Sequence, residues 1–162
     1  MGKFRYLDNR FDNFFKYVKV LIPTKIVCIM KFSTRTTYGL RAMIRLARYK
    51  DKISLSLPSI AKQEGISLGY LERLFVDLKK AGLVKAIKGA KGGYSLVRPA
   101  SQIKVFDIVK ALEGRMSPFH CLDEKGKIYC HASCRCGATK VLIKVQEAVN
   151  KTLRGINLSE LV

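Results

Sequence analysis

Four cysteines within a stretch of sixteen residues carry the most reactive chemistry of this 162-residue chain. Their spacing is C-x8-C-x3-C-x-C, and thiolates this close together are typical ligands of zinc or of iron–sulfur clusters. The paired C-x2-C pattern of zinc fingers is missing, which favours an iron–sulfur cluster over zinc and leaves redox-active or idle thiols as a third interpretation. The four residues are Cys121, Cys130, Cys134 and Cys136.

The surroundings of these cysteines suit bound thiolates. Nearby cations stabilise a thiolate and offset the negative charge of a thiolate-bound cluster. His120 and His131 are further candidate ligands, although a loop histidine more often stays in solvent. Lysines interrupt the apolar residues near the N-terminus, so we expect no secretory signal and a reducing, cytoplasmic location that disfavours disulfides. The nearby cations are Lys125, Lys127, Arg135 and Lys140.

The segment 58–97 predicts a helix, a turn, a second helix and a β-hairpin. Pro58 suits the first turn of a helix, Gly65 suits its C-terminus, and Ser67 is a favourable N-cap for the second helix. Residues 83–87 and 94–97 predict two strands, and residues 88–93 between them are too glycine-rich for regular structure. This order predicts a winged helix-turn-helix, whose second helix enters the DNA major groove. Helical spacing predicts a buried face at Leu68, Leu71, Leu74, Phe75 and Leu78.

The composition favours a polyanionic partner. Lysine and arginine number 31 against 12 acidic residues, giving a formal charge of +19. A folded domain this basic most often meets nucleic acid, the plain alternative being a solvated basic surface. The basic tip of the hairpin suits contact with the DNA backbone or minor groove.

Other elements complete the predicted organisation. The segment from Met30 to about Lys50 contains a first helix, with Thr36 or Thr37 as its cap, and a fourth helix follows the hairpin. A final helix, from about Thr139 to Arg154, presents a narrow apolar stripe that either joins two subunits or packs on its own domain. Residues 1–29 have the pattern of a basic amphipathic helix that lies on a membrane surface. We favour the interpretation that translation starts at Met30 and that the extension comes from a start codon assigned too far upstream, and we expect no membrane partner. The stripe consists of Leu142, Val145, Val149 and Leu153.

Five stretches resemble a known family. They are residues 30–43 (MKFSTRTTYGLRAM), 66–75 (ISLGYLERLF), 82–84 (GLV), 91–94 (KGGY) and 157–162 (NLSELV). Together they resemble the IscR/NsrR/CymR family of winged-helix bacterial transcription regulators, also called the Rrf-two family. The resemblance implies a mainly α fold with a small β-hairpin wing and a long C-terminal dimerisation helix. It also implies a homodimer that binds promoter DNA and is not an enzyme. We divide the chain into an extension (1–29), a DNA-binding domain (30–100), a linking helix with the cysteine loop (101–138), and a dimerisation helix with its tail (139–162).

The resemblance also implies a 2Fe–2S or 4Fe–4S cluster on three cysteines and a fourth ligand. Cys121, Cys130 and Cys136 match the three cysteines, with a longer first gap than the family usually has. The family's fourth ligands do not carry over, because Thr139 stands in place of a histidine and Thr37 in place of an aspartate. We hypothesise that the extra Cys134 completes an all-cysteine set.

Candidate DNA contacts follow from the same resemblance. Gly69, Tyr70 and Arg73 lie on the recognition helix, and an arginine there can bind guanine with two hydrogen bonds. Lys88 in the wing is carried over as well. Ser67, Arg35 and Lys91 are further candidates, the last two for phosphates.

We interpret the chain as a regulator, with repression as the favoured mode. Cluster loss would free the cysteine loop and change the separation of the recognition helices in the dimer. Two alternatives stay open. One is a regulator of the same fold switched by zinc, thiol oxidation or a partner protein, and the less favoured one is an iron–sulfur redox protein.

Overall fold

A computed structural model describes residues 32–49, 54–89, 92–117, 119, 122–128 and 137–162. The described chain is mainly α-helical with one small antiparallel sheet, as the sequence predicts. Short 3-10 helices occur at Ala100–Gln102 and Leu158–Leu161. The main elements are α1 (Thr34–Arg48), α2 (Leu57–Glu64), α3 (Leu68–Lys80), β1 (Val84–Ile87), β2 (Gly93–Leu96), α4 (Val105–Glu113) and α5 (Ala138–Gly155).

The ends of the first three helices follow local sequence signals. Pro58 lies in the first turn of α2, and Gly65 ends that helix in the left-handed conformation, with φ at 65°, as predicted. The predicted cap of α1 is wrong, because Ser33 occupies the N-cap and accepts a hydrogen bond from the backbone N–H of Thr36 at 3.3 Å. Thr36 itself is buried, and its hydroxyl donates to Glu113 on α4.

The main core lies between the first four helices and the wing. Leu71, Leu74, Phe75 and Leu78 form the buried face of α3 with at most 1% of each residue exposed, which confirms most of the predicted stripe. Leu68 is an exception, with 39% exposed, because it is the first residue of α3 and precedes the part that packs on the core.

A second, smaller core joins α4 to the C-terminal half of α5. Leu153 and Val149 pack there with Phe106, whose ring also lies 4.2 Å from the guanidinium of Arg154. The predicted apolar stripe of this helix is therefore divided. Its C-terminal part covers its own domain, whereas Leu142 and Val145 are half-buried and the adjacent Val141 is 61% exposed. Among the described helices, none combines the length and apolar character that a membrane span requires.

Candidate nucleic-acid interface

The solvent face of α3 presents the residues that sequence analysis assigns to DNA. Gly69 and Arg73 are exposed, and Tyr70 is half-buried against the core. Ser67 occupies the N-cap of α3 but makes no side-chain capping bond, contrary to the prediction from its residue type. Ser67 is exposed at this helix N-terminus, where the backbone N–H groups of the first turn favour an anion.

The wing carries exposed lysines on a well-defined hairpin. β1 pairs with β2 in antiparallel register, from Val84 opposite Leu96 to Ile87 opposite Gly93. Lys88 is exposed just after β1, whereas the predicted contact Lys91 lies outside the described residues. The hairpin is fixed to the domain by Leu55, which exchanges two backbone hydrogen bonds of 2.9 Å with Tyr94.

Gly93 is part of this attachment, although the sequence suggests only an irregular tip. It is the first residue of β2, and a Cβ there would lie 2.5 Å from the backbone oxygen of Leu55. Any side chain at position 93 would therefore push the wing away from Leu55, the residue to which it is attached. The requirement comes from a contact with a distant part of the chain, so composition alone could not reveal it.

Replacement of Gly93 by alanine is expected to lower the free energy of unfolding by about 1–3 kcal/mol, because the clash is with backbone and not with a mobile side chain. Thermal unfolding monitored by circular dichroism measures this loss. Gly69→Ala is the matched control: nothing lies within 4 Å of its Cβ position. That helical substitution should stabilise by about 0.5–1 kcal/mol. Equal melting temperatures for the Gly93 variant and the parent would contradict the account.

Two arginines of α1 hold the C-terminal end of α2. Glu64 receives a hydrogen bond from Arg41 Nε at 3.1 Å and from Arg45 Nε at 2.7 Å, and its carboxylate is largely buried, with 10% of the side chain exposed. Arg41 also donates to the backbone oxygen of Glu64 at 2.6 Å, at a helix end where carbonyls lack partners. This contact fixes the first helix of the helix-turn-helix and was not predicted, because it joins residues from two separate helices.

A contact between aromatic rings continues from α1 to the recognition helix. The guanidinium of Arg41 lies 5.7 Å from the centroid of the Tyr38 ring, and Tyr38 meets Tyr70 edge to face at 6.0 Å. The contact with Tyr38 positions the ring of Tyr70, so the half-buried side chain has a fixed orientation at the start of α3. On the buried side, Phe75 packs edge to face on Tyr94 of the wing at 4.8 Å. The recognition helix and the wing are therefore held in a fixed relation.

Arg35, a predicted phosphate contact, has partners within the chain. Its Nε donates to the backbone oxygen of Leu112 at 2.7 Å, and its guanidinium pairs with Asp77 of α3. The side chain is nonetheless 42% exposed. Arg35 therefore joins α1, α3 and α4, and it presents part of its charge to solvent.

The four cysteines and both histidines lie outside the described residues, so their predicted roles as ligands stay predictions. The neighbouring parts of the segment are well anchored. Leu122, directly after Cys121, is fully buried and forms a strand-like bridge with Ile128. Gly126 in this turn approaches Ile143 of α5, since a Cβ at Gly126 would lie 3.9 Å from that side chain.

An ion pair ties the same turn to α4. Lys110 donates a hydrogen bond of 3.0 Å to Glu124, whose carboxylate also accepts from the backbone N–H of Met116 at 3.4 Å. The hydrogen bond from Lys110 is the main cause that lowers the pKa of Glu124 below its ordinary value of 4.5, against an opposing effect of desolvation. Because the folded state favours the charged carboxylate, the contact stabilises the fold above that ordinary pKa and is lost as the pH falls through the lowered pKa.

Glu124→Gln is expected to lower the melting temperature slightly at pH 7, and this effect should shrink as the pH falls below 4.5 through the lowered pKa of Glu124. The effect at pH 7 should stay below about 1 kcal/mol because both partners remain well solvated. Melting curves across this pH range measure the difference. Glu72→Gln, at an exposed site on α3, serves as the control, and a difference that grew toward acid pH would contradict the assignment.

The arrangement of a fixed recognition helix, a basic wing and a supporting three-helix core defines a winged-helix DNA-binding protein. Comparisons with known proteins agree. The sequence profile of the Rrf2 family, described as iron-dependent transcriptional regulators, matches residues 32–162. The chain is 37% identical over 132 residues to the HTH-type transcriptional regulator CymR of Bacillus subtilis, covering 82% of this chain and 89% of that protein.

Solved structures show the same relationship. The structure of CymR, the global cysteine regulator of B. subtilis, has a TM-score of 0.70 at 34% identity and covers 82% of this chain and 96% of that one. T. potens IscR has a TM-score of 0.65 at 37% identity, covering 81% of this chain and 85% of that one. The chain therefore belongs to the Rrf2 family. It is a DNA-binding transcriptional regulator and not an enzyme.

Proposed function

We propose that the chain is a homodimeric, cytoplasmic regulator, acting mainly as a repressor, whose promoter binding is modulated by an iron–sulfur cluster. The ligands are Cys121, Cys130 and Cys136, with Cys134 as the fourth. The observation that carries this proposal is the sequence position of the four thiols around an anchored turn: Cys121 directly precedes the buried Leu122, and the other three lie between the turn 122–128 and the start of α5. The iron dependence in the family description and the similarity to IscR support it.

The chemistry of the donor set fits such a group. Thiolates are the usual ligands of iron–sulfur clusters, and the exposed Lys125, Lys127 and Lys140 place positive charge near these cysteines in the sequence. A cluster bound there would supply a redox-sensitive link between the cysteines. The chain itself anchors the turn 122–128 on α4 and α5. Binding or loss of the cluster at the cysteines would therefore act on these two helices.

The division of the chain and its dimerisation are part of the proposal. Residues 30–100 bind DNA, 101–138 carry the cluster, and 139–162 form the dimer contact, with 1–29 as an extension. The exposed Val141 and the half-buried Leu142 and Val145 on the N-terminal half of α5 support a contact with a second copy. Such apolar residues on one helix face are typical of a helix–helix seam.

DNA contacts are assigned by exposure and position. We assign base contacts to Arg73, with Ser67, Gly69 and Tyr70 beside it at the start of α3. Lys88 and Lys91 bind phosphates from the wing. Arg35 is a weaker phosphate candidate because Asp77 and Leu112 already hold its guanidinium.

A regulator without a cluster is the second candidate. The similarity to CymR, which is described as a cysteine regulator, favours it. So does the presence of Thr139 and Thr37 where the family resemblance expects a fourth ligand. In this case the cysteines bind zinc, respond to oxidants or have no sensory part.

The spectrum of the protein separates the two candidates. The full chain is purified without oxygen, and visible absorption, iron and acid-labile sulfide are measured. We expect a coloured protein with stoichiometric iron and sulfide. Cys134→Ser should lose or change the spectrum, whereas the control Cys28→Ser, outside the family match, should keep it. A colourless protein that resists reconstitution would favour the second candidate, and an unchanged Cys134→Ser spectrum would exclude this cysteine as a ligand.

A further inference from the structure

A buried glutamine on α5 contacts the chain on both sides of Cys121. Gln146 lies near the middle of α5, and 3% of its surface is exposed. Its Oε1 accepts a hydrogen bond from Ser117 Oγ at 2.8 Å, and its Nε2 donates to the backbone oxygen of Asp123 at 2.7 Å. The side chain of Gln146 therefore binds Ser117 and Asp123, which lie before and after Cys121 in the sequence.

The hydrogen-bond chemistry fixes the orientation of this amide. The carbonyl of Asp123 can only accept, so Nε2 must face it and Oε1 must face Ser117. Ser117 must then donate its single hydroxyl proton to Gln146. The same hydroxyl lies 2.9 Å from the backbone oxygen of Phe119, which is also an acceptor. Ser117 therefore has two acceptors for one proton, and the position of Phe119 determines the balance between them.

This choice has consequences for α5. When Ser117 donates to the backbone oxygen of Phe119, the buried Oε1 of Gln146 loses its donor. An unpaired buried acceptor lowers the population of such a conformation by a factor of about 5 to 150. Phe119 lies two residues before Cys121 in the sequence.

We propose that Ser117 and Gln146 form the relay through which the state of the cysteine segment reaches α5. Binding at Cys121 sets the position of Phe119, Phe119 sets the acceptor used by Ser117, and the pairing of Gln146 sets the stability of α5. The relay rests on the proposed function, because it requires loaded and unloaded states of the cysteines. Gln146 is a positioning residue in this scheme and touches neither DNA nor the bound group.

Asn150 provides a matched control. It lies one turn further along α5, is also an amide and is 7% exposed. Within the described residues its Oδ1 has no hydrogen-bond partner. A leucine at Asn150 therefore changes a buried amide of the same helix without removing the link to Ser117 or Asp123.

The test uses Cd²⁺ as a thiolate-binding probe on the full chain. Binding is followed by thiolate-to-metal charge-transfer absorption, and α5 by hydrogen exchange of peptides from residues 138–155. In the parent and in Asn150→Leu, Cd²⁺ should change exchange in α5 by at least about fivefold, the lower limit of the penalty for an unpaired acceptor. Gln146→Leu and Ser117→Ala should bind Cd²⁺ but lose this response, and Ser117→Thr should keep it.

Each result has a defined meaning. An undiminished α5 response in Gln146→Leu and Ser117→Ala overturns the relay. So does a parent protein that binds Cd²⁺ without any response in α5, and that result leaves the proposed cysteine site intact. Failure of the parent thiols to bind Cd²⁺ overturns both the relay and the proposed site.

Discussion

Arg73→Ala is expected to lower affinity for the specific operator by about 5- to 150-fold, the value of one bidentate contact to guanine, while affinity for unrelated DNA falls little. Arg73 is exposed on α3, and the buried face of that helix is fixed by Phe75 and its neighbours. The loss should therefore come from base recognition and not from a displaced helix. Equilibrium binding to operator and mutated operator DNA at fixed salt measures the ratio.

Lys88→Ala is the matched comparison for this prediction. Lys88 is an exposed wing lysine, so its loss should weaken binding to all sequences and reduce the salt slope by about 0.9. If Arg73→Ala instead lowered affinity equally for operator and unrelated DNA, the assignment of Arg73 to base recognition would be wrong.

Glu64→Ala is expected to reduce the free energy of unfolding by about 2–4 kcal/mol. This loss is somewhat smaller than that for breaking a fully buried ion pair, because both arginines keep contact with water. The substitution removes the acceptor shared by Arg41 and Arg45 and leaves two partly buried guanidinium groups without it. Because the contact joins α1 to α2, operator affinity should fall with stability. Chemical denaturation measures the loss.

The size of this effect depends on the shared acceptor and not on charge alone. Glu64→Gln keeps an oxygen that both arginines can reach, so its loss should be smaller. Glu72→Ala, at an exposed site of α3, should change stability by less than about 0.5 kcal/mol. Equal losses for the Glu64 and Glu72 variants would contradict the role of Glu64 as the link between α1 and α2.

Sequence patterns predict the helices of the DNA-binding domain because their signals are local. Pro58 and Gly65 mark the two ends of α2 through their own backbone preferences, and the spacing of Leu71, Leu74 and Leu78 reflects one buried helix face. The same reasoning fails at Leu68, because a periodic pattern does not reveal where the partner surface ends. It also fails at Ser67, whose type is suited to a cap that its hydroxyl does not form.

The contacts that position the site could not be predicted because they join distant segments. Arg41 and Glu64 lie 23 residues apart, and Arg35 and Asp77 lie 42 residues apart. Each of these side chains resembles an ordinary solvated charge until the helices are packed together. Gly93 and Gln146 are similar cases, since a missing side chain and a buried amide gain meaning only beside Leu55 and Ser117.

The most direct test of a DNA-binding regulator controlled by a cluster compares its two forms on DNA. Protein purified without oxygen, and the same protein after cluster removal, are each used to select duplexes from a random library. Affinities for the selected sequences are then measured at one salt concentration. We expect the two forms to differ in affinity or in preferred sequence. Equal affinity for the same sequence, with and without the cluster, would contradict control of promoter binding by the cysteine segment.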